Sequence, residues 1–428
     1  MTNAKMNSKR GRKRKAPVSS ATPKQKKTDV SEISDESNVV AEVTKKREPG
    51  KVLVMGDGVA GQLGLGVDVT EKPRPSEVAS LDNIIDVQAG GMHTVCLTSD
   101  FKVITFGCND EGALGRHTAD EESSSVPGEV ELTGKVVQIS AGDSHSAALL
   151  DSGRLFVWGT FRDSHGAMGL VNSKIEKTPV EITSGDLKFS KISSGAHHLA
   201  ILSTEGNIYT FGCGEQGQLG RLSERIANRE TRYGVSQLLA PAAIRTKVTF
   251  KLKFVDVWTG SYNTFAKDSN GDIHVFGLNN YKQMGAKANV HFYPTSAKCF
   301  EGKTWVKISG GEHHTMALDD NGVVYTMGRK EYGRLGLGKN CEDANVPTEV
   351  EIKGKCIDIS CGSFVSFALT EEGHLYSWGQ GSTMLGVGDE DDRFEPTLVK
   401  GKQLEGKIIT QVSGGGQHTV LLAKPVPK

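Results

Sequence analysis

From Lys51 onward, short stretches alternate apolar and polar residues with a period of two, and each ends on glycine or a polar turn. The clearest set is Val136–Ala141, His145–Leu150 and Arg154–Gly159, separated by Gly142 and by Asp151-Ser152-Gly153. Alternation over five or six residues bounded by Gly, Asp and Ser predicts strands joined by tight turns. A looser strand is predicted around Pro179–Ile182, which makes four short antiparallel strands. The set recurs. Glycines closing a G-Q-L-G-like turn stand at Gly64, Gly115, Gly169, Gly220, Gly285, Gly336 and Gly386, in steps of 51, 54, 51, 65, 51 and 50 residues. A second anchor gives the same seven: His93, His145, His198, Asn263, His314, Val365 and His418. A β-rich repeat of this length means a propeller or a solenoid, and four strands per repeat fit a propeller blade.

The phase of the ends points to a closed ring. The chain enters mid-repeat at Lys51–Gly56 and leaves after half a repeat at Gln411–Leu422. The N-terminal strands are therefore expected to complete the last blade. That seal leaves no open sheet edge, whereas a solenoid needs capped ends. The fold class read here is all-β: a seven-bladed propeller over residues 51–428, preceded at 1–50 by a basic tail expected to be disordered.

Composition adds an asymmetry. The net charge of the 428 residues is zero, yet the first 28 carry ten Lys or Arg and no acid. A basic arm on an acidic body implies one polyanionic partner. The seven cysteines form no C-x-x-C pair and read as reduced core thiols of an intracellular protein. No apolar run approaches a membrane span, and no secretory signal is expected. There is no catalytic triad, H-E-x-x-H, P-loop or metal-spaced cluster, so covalent chemistry, a metal and a cofactor are not expected.

Positions that obey the repeat read as structural, and positions that break it as candidates for function. Five histidines at one address (His93, His145, His198, His314 and His418) read first as packed or hydrogen-bonded near the blade turn. The interval from the third-strand glycine to the closing glycine is 8 residues in five repeats and 7 in the last, but 10 between Gly159 and Gly169. Thr160–Met168 therefore carries two extra residues in a hairpin, either a neutral insertion or a functional one. Asp143 and His313 stand out in the turns Gly142–His145 and Gly311–His314, where a solvated side chain is the plain alternative. The step of 65 residues holds a basic stretch, Arg221–Lys253, that either forms a solvated loop or meets carboxylate or phosphate.

The segments Gly90–Cys96, Phe106–Gly115 and Gly212–Arg221 resemble the regulator-of-chromosome-condensation family, nucleotide exchange factors for the small GTPase Ran. The likeness covers all seven repeats and the basic tail. It implies that Phe161, Arg162, Asp163, Ser164 and His165 form a β-wedge acting near the nucleotide, with Asp143 and His313 essential for exchange. His93 and His418 would lie on the GTPase-facing side. Two departures are visible: His197 and Val59 stand where the family has acids, and a histidine does not reproduce a fixed negative charge at neutral pH. The likeness also implies that Arg225, Arg229 and Arg232 meet the histone acidic patch, with the nucleosome and Ran on opposite faces.

In the tail, Lys9, Arg10, Arg12, Lys13, Arg14 and Lys15, then Lys24, Lys26 and Lys27, form a two-part nuclear import signal read by import receptors. The same charges would bind DNA backbone without reading sequence. The family's terminal methylation signal is absent, since the chain starts Met1-Thr2-Asn3-Ala4. The expected function is exchange on Ran in the nucleus, on chromatin. Alternatives are a chromatin-binding propeller with lost exchange, a propeller acting on another GTPase, and, more remotely, a channel hydrolase.

Overall fold

Alternating residues give each strand one apolar face toward each neighbouring blade, so the sheets stack around an axis. The computed structural model describes residues 48–171, 173–182, 186–230, 234–244, 249 and 251–426. These form seven four-stranded antiparallel sheets and one two-stranded sheet. Blade 1 is Ile84–Ala89, His93–Thr98, Val103–Gly107 and Gly128–Val130. Blade 2 is Val136–Ala141, His145–Leu150, Leu155–Gly159 and Glu176–Ile182, close to the strands read from the pattern. Blades 3 to 6 start at Phe189, Phe254, Trp305 and Cys356. Blade 7 joins Lys407–Gly414 and His418–Pro425 to Lys51–Asp57 and Glu71–Glu77. The seal runs antiparallel from Lys51↔Ala423 to Gly56↔His418, as the phase of the ends predicted.

The core lies between blades rather than at one centre. Val95, Leu97 and Val103 of blade 1 pack on Ile139, Ala148 and Trp158 of blade 2. Four of the seven closing glycines, Gly64, Gly115, Gly220 and Gly336, have a part in this. Gly115 has φ +65, and a Cβ there would sit 2.7 Å from the Trp158 ring of the next blade. Gly336 stands in the same relation to Trp378. At these four positions the glycine serves both a left-handed turn and a close ring approach. The indole of Trp158 also donates to the Ala113 carbonyl at 2.8 Å.

The repeat histidines form a polar belt from blade to blade. His93 Nε2 lies 2.8 Å from Ser146 Oγ, His198 Nε2 2.9 Å from Thr264 Oγ1, His314 Nε2 2.9 Å from Ser366 Oγ and His418 Nε2 2.7 Å from Thr94 Oγ1. All four rings are buried. His145 breaks the belt. Leu199 stands where the other partners are Ser or Thr, and the ring of Phe161 packs on His145 instead, with centroids 4.7 Å apart.

Candidate functional site on the wedge face

His145 and Gly159 are cross-strand neighbours. The turn between strands one and two and the connection between strands three and four therefore emerge at the same end of each blade. This geometry gathers Asp143, His197, His313, the inserted hairpin and the long basic connection at one side of the ring.

The insertion is a hairpin, Phe161–Asp163 paired with Gly166–Gly169. Its residues divide by burial. Phe161 is fully buried, against His145 and Phe211, so it roots the hairpin in the joint between blades 2 and 3. The Asp163 side chain is 1% exposed and ion-paired with Arg229. Its Oδ1 accepts the His165 N–H at 2.9 Å. Phe161 and Asp163, expected to act on the GTPase, are here the anchors of the wedge. Arg162, Ser164 and His165 are exposed at its tip.

The tip is held from both sides. Arg162 pairs with Glu111 of the blade 1 connection. On the blade 3 side, Glu215 accepts the Ser164 N–H at 3.1 Å and also the Ser164 hydroxyl. Asp163, His165 and Glu215 come together here, but both carboxylates already serve donors of the hairpin. A hairpin with four bonds to its neighbours is preorganised, which two short strands alone are not.

The Asp163–Arg229 pair adds a role that the sequence did not suggest. The resemblance sets Arg229 against an acidic protein surface. Its guanidinium turns back to the wedge, so the two predicted sets of residues meet rather than stand apart. Arg229 itself has φ 58, in the left-handed region that non-glycine residues seldom occupy. Arg225 is exposed, the second residue of the short helix Glu224–Ala227. Arg221, counted in the same basic stretch, is instead folded inward, donating to the Thr210, Gln237 and Ala240 carbonyls. Arg232 and the tail residues Lys9 to Lys27 lie outside the described residues.

His197 does not leave an empty place. Its Nε2 lies 3.5 Å from Asp143 Oδ2, and the Asp143 N–H donates to the Ala196 carbonyl at 2.9 Å. Burial lowers the His197 pKa from its usual value, with Asp143 pulling the other way. Asp143 stands at the mouth of the axial channel, open to water on one side and crowded by protein on the others. That crowding raises its pKa, and His197 opposes the rise. His313 is half-buried, with its ring 5.1 Å from that of Tyr281, over which Arg329 lies. Burial, then Arg334 and Arg329, lower its pKa. His93 and His418 stand at the wedge-face end of their strands and are fully enclosed links of the belt. Val59 is 76% exposed, an apolar side chain where the resemblance implies an acid.

Four residues of this face were missed. Glu111 and Glu215 carry no mark of their own in the sequence, because their partners sit in another blade. Glu312 was legible: among the seven residues after the first turn glycine, only Asp143 and Glu312 are acidic. Tyr262 lies beside both, its hydroxyl pushed up to about 12 by burial and by those acids.

The RCC1-like domain model matches residues 51–421. The human protein named Regulator of chromosome condensation is 45% identical over 427 residues, 98% of this chain and 99% of its own. The Xenopus laevis protein of that name is 46% identical over 382 residues, 88% of this chain and 90% of its own. Among solved structures, Saccharomyces cerevisiae Prp20p, described with its binding properties to Gsp1p and histones, superposes with a TM-score of 0.82 at 29% identity, covering 90% of this chain and 93% of that one. Yeast RCC1 (Prp20) bound to Kap60 gives 0.83 at 28%, covering 96% and 97%. A repeat count, a closed ring, a clamped hairpin and 45% identity over nearly the full length agree, and the chain belongs to the regulator-of-chromosome-condensation family.

Proposed function

We propose that this chain is a guanine-nucleotide exchange factor for the small GTPase Ran, acting in the nucleus on chromatin. The observation that carries the reading is the wedge: two extra residues in one blade, rooted by Phe161 and tied by Glu111, Glu215 and Arg229. A loop with no task needs no such fastening. Exchange needs no covalent step. Nucleotides bound at nM to pM affinity are held by about 12–16 kcal/mol, and a factor that binds the empty GTPase tightly offsets part of that. In this reading the wedge tip, Arg162, Ser164 and His165, displaces the phosphate-binding region. Asp143, Glu312 and His313 hold the displaced segments. The GTP:GDP ratio then sets the product.

Prp20p's reported binding to Gsp1p and histones supports both partners. The Kap60 complex supports an import receptor reading the basic tail. The nucleosome would be met by Arg225 and Arg232, and DNA backbone by Lys9 to Lys27. A second reading, a chromatin-binding propeller with weak exchange, draws on His197 and Val59. Release of a fluorescent GDP analogue from Ran decides between them, with a panel of other small GTPases as control. Wild type should accelerate release, and His197→Asp should accelerate it several-fold further. No release by wild type with recovery in His197→Asp would favour the second reading.

A further inference from the structure

The second residue of the G-Q-L-G-like turn is fully buried in most blades. Gln62, Gln218 and Gln283 fill it, and each amide oxygen accepts the N–H two residues earlier, at 2.8–2.9 Å. Blade 5 puts Arg334 in this slot, equally buried. Its Nε donates to the Glu331 carbonyl at 2.9 Å. Its Nη1 and Nη2 meet no hydrogen-bond partner among the described residues. The rings of Tyr332 and Phe364 lie 5.6 and 5.2 Å from the guanidinium carbon. Glu312 and Glu331 act on it electrostatically. A buried cation with unpaired donors is among the costliest groups a fold can carry, and the neighbouring blades show that a neutral residue suffices for the turn.

We propose that Arg334 is a socket for one carboxylate, an Asp or Glu side chain of the GTPase that docks on the wedge face; this rests on the exchange reading above. With Nε engaged, the guanidinium presents two terminal nitrogens, which match the two oxygens of a carboxylate. Glu312 and Glu331 oppose any anion at the site, a dianionic phosphate about twice as strongly as a single carboxylate. His313 stands next to the socket, so an acid bound there would sit within the predicted site. Tyr332, 46% exposed and at φ 62, forms the outer wall, and a carboxylate reaches the buried Arg334 only when this ring is displaced.

The test is Arg334→Gln, which restores the residue of three sister blades. The main-chain carbonyl of residue 334, which accepts from Ser366 Oγ and Trp378 Nε1, is kept. The variant should melt higher than wild type, because an unpaired buried charge is removed. Its KM for Ran should rise about 30-fold, with the rate at saturation within about twofold of wild type. Arg334→Met, which copies Met384 at the same address of blade 6, should behave alike. A lower melting temperature in both variants, or an unchanged KM, would overturn the socket: water or Glu312 would then satisfy Arg334. Melting in sodium acetate against sodium chloride at equal ionic strength decides the matter without a GTPase. An acetate-specific rise in wild type that Arg334→Gln lacks supports the socket, and equal responses sink it. Failure of wild type to release nucleotide would instead count against the exchange reading alone.

Discussion

At the scale of single residues, the belt histidines tie burial to pH. Burial lowers the pKa of His93 to about 4, and those of His198, His314 and His418 to about 3. The unfolded chain titrates near 6.5. Between these values the unfolded state binds more protons, so stability is complete above pH 6.5 and falls as the pH drops through 6.5 toward the folded values. Each ring can contribute at most about 1.4 kcal/mol per pH unit in that window. The melting temperature should therefore fall from pH 6.5 to pH 5. His198→Asn, copying Asn263 at the same address, should flatten the slope by one histidine's share. A melting temperature constant across that range would show that the rings are not held neutral. The same residues illustrate a limit of reading by address. The repeat assigned all five histidines to packing, and the resemblance moved His93 and His418 to the partner surface. Both rings are buried with Nε2 bonded to the next blade, a state the address alone does not record.

At the scale of elements, the wedge is a hairpin too short to hold itself. Its shape depends on carboxylates from both neighbouring blades, and its function in the proposed mechanism is to push. Glu215→Gln should thus lower the maximal exchange rate at least tenfold while leaving Ran affinity within about threefold, measured as the split between kcat and KM. Losses of equal size in both would mean that Glu215 contacts the partner directly. Asp163→Asn should act in the same direction and also destabilise the fold, since Arg229 would lose its anion in a mostly enclosed place. The hairpin was legible as an interval of 10 where 8 is usual. Its fastening was not, because Glu111, Glu215 and Arg229 lie 51 to 66 residues away in sequence.

At the scale of the molecule, closure makes every blade depend on two others. Val54 pairs with Val420 on one side and Ser76 on the other, at the seal of blade 7. Proline there removes a ladder donor in an inner strand. Val54→Pro should lower the melting temperature by several degrees in one cooperative transition. A separate early melt of blade 7 would show instead that the blades unfold one at a time, as stacked repeats can. The same closed ring places seven sets of turns at one end, which is how Asp143 of blade 2 and Glu312 of blade 5 come to act on one another.

The number of blades, their strands, the manner of closure and the blade that carries the insertion were all legible along the chain. Those features rest on local periodicity and turn chemistry, repeated seven times and so readable by comparison within one chain. Which side chains are available depends on how the blades pack. Phe161, Asp163, His93 and His418 are enclosed, Arg229 is committed to the wedge, His197 meets Asp143, and Arg334 is buried with donors to spare. Each of these outcomes depends on a partner about one repeat or more distant, or on which side of a strand the ring packs. No local pattern records such a contact, because the pattern sets the period of a blade and the packing of adjacent blades sets what each position faces.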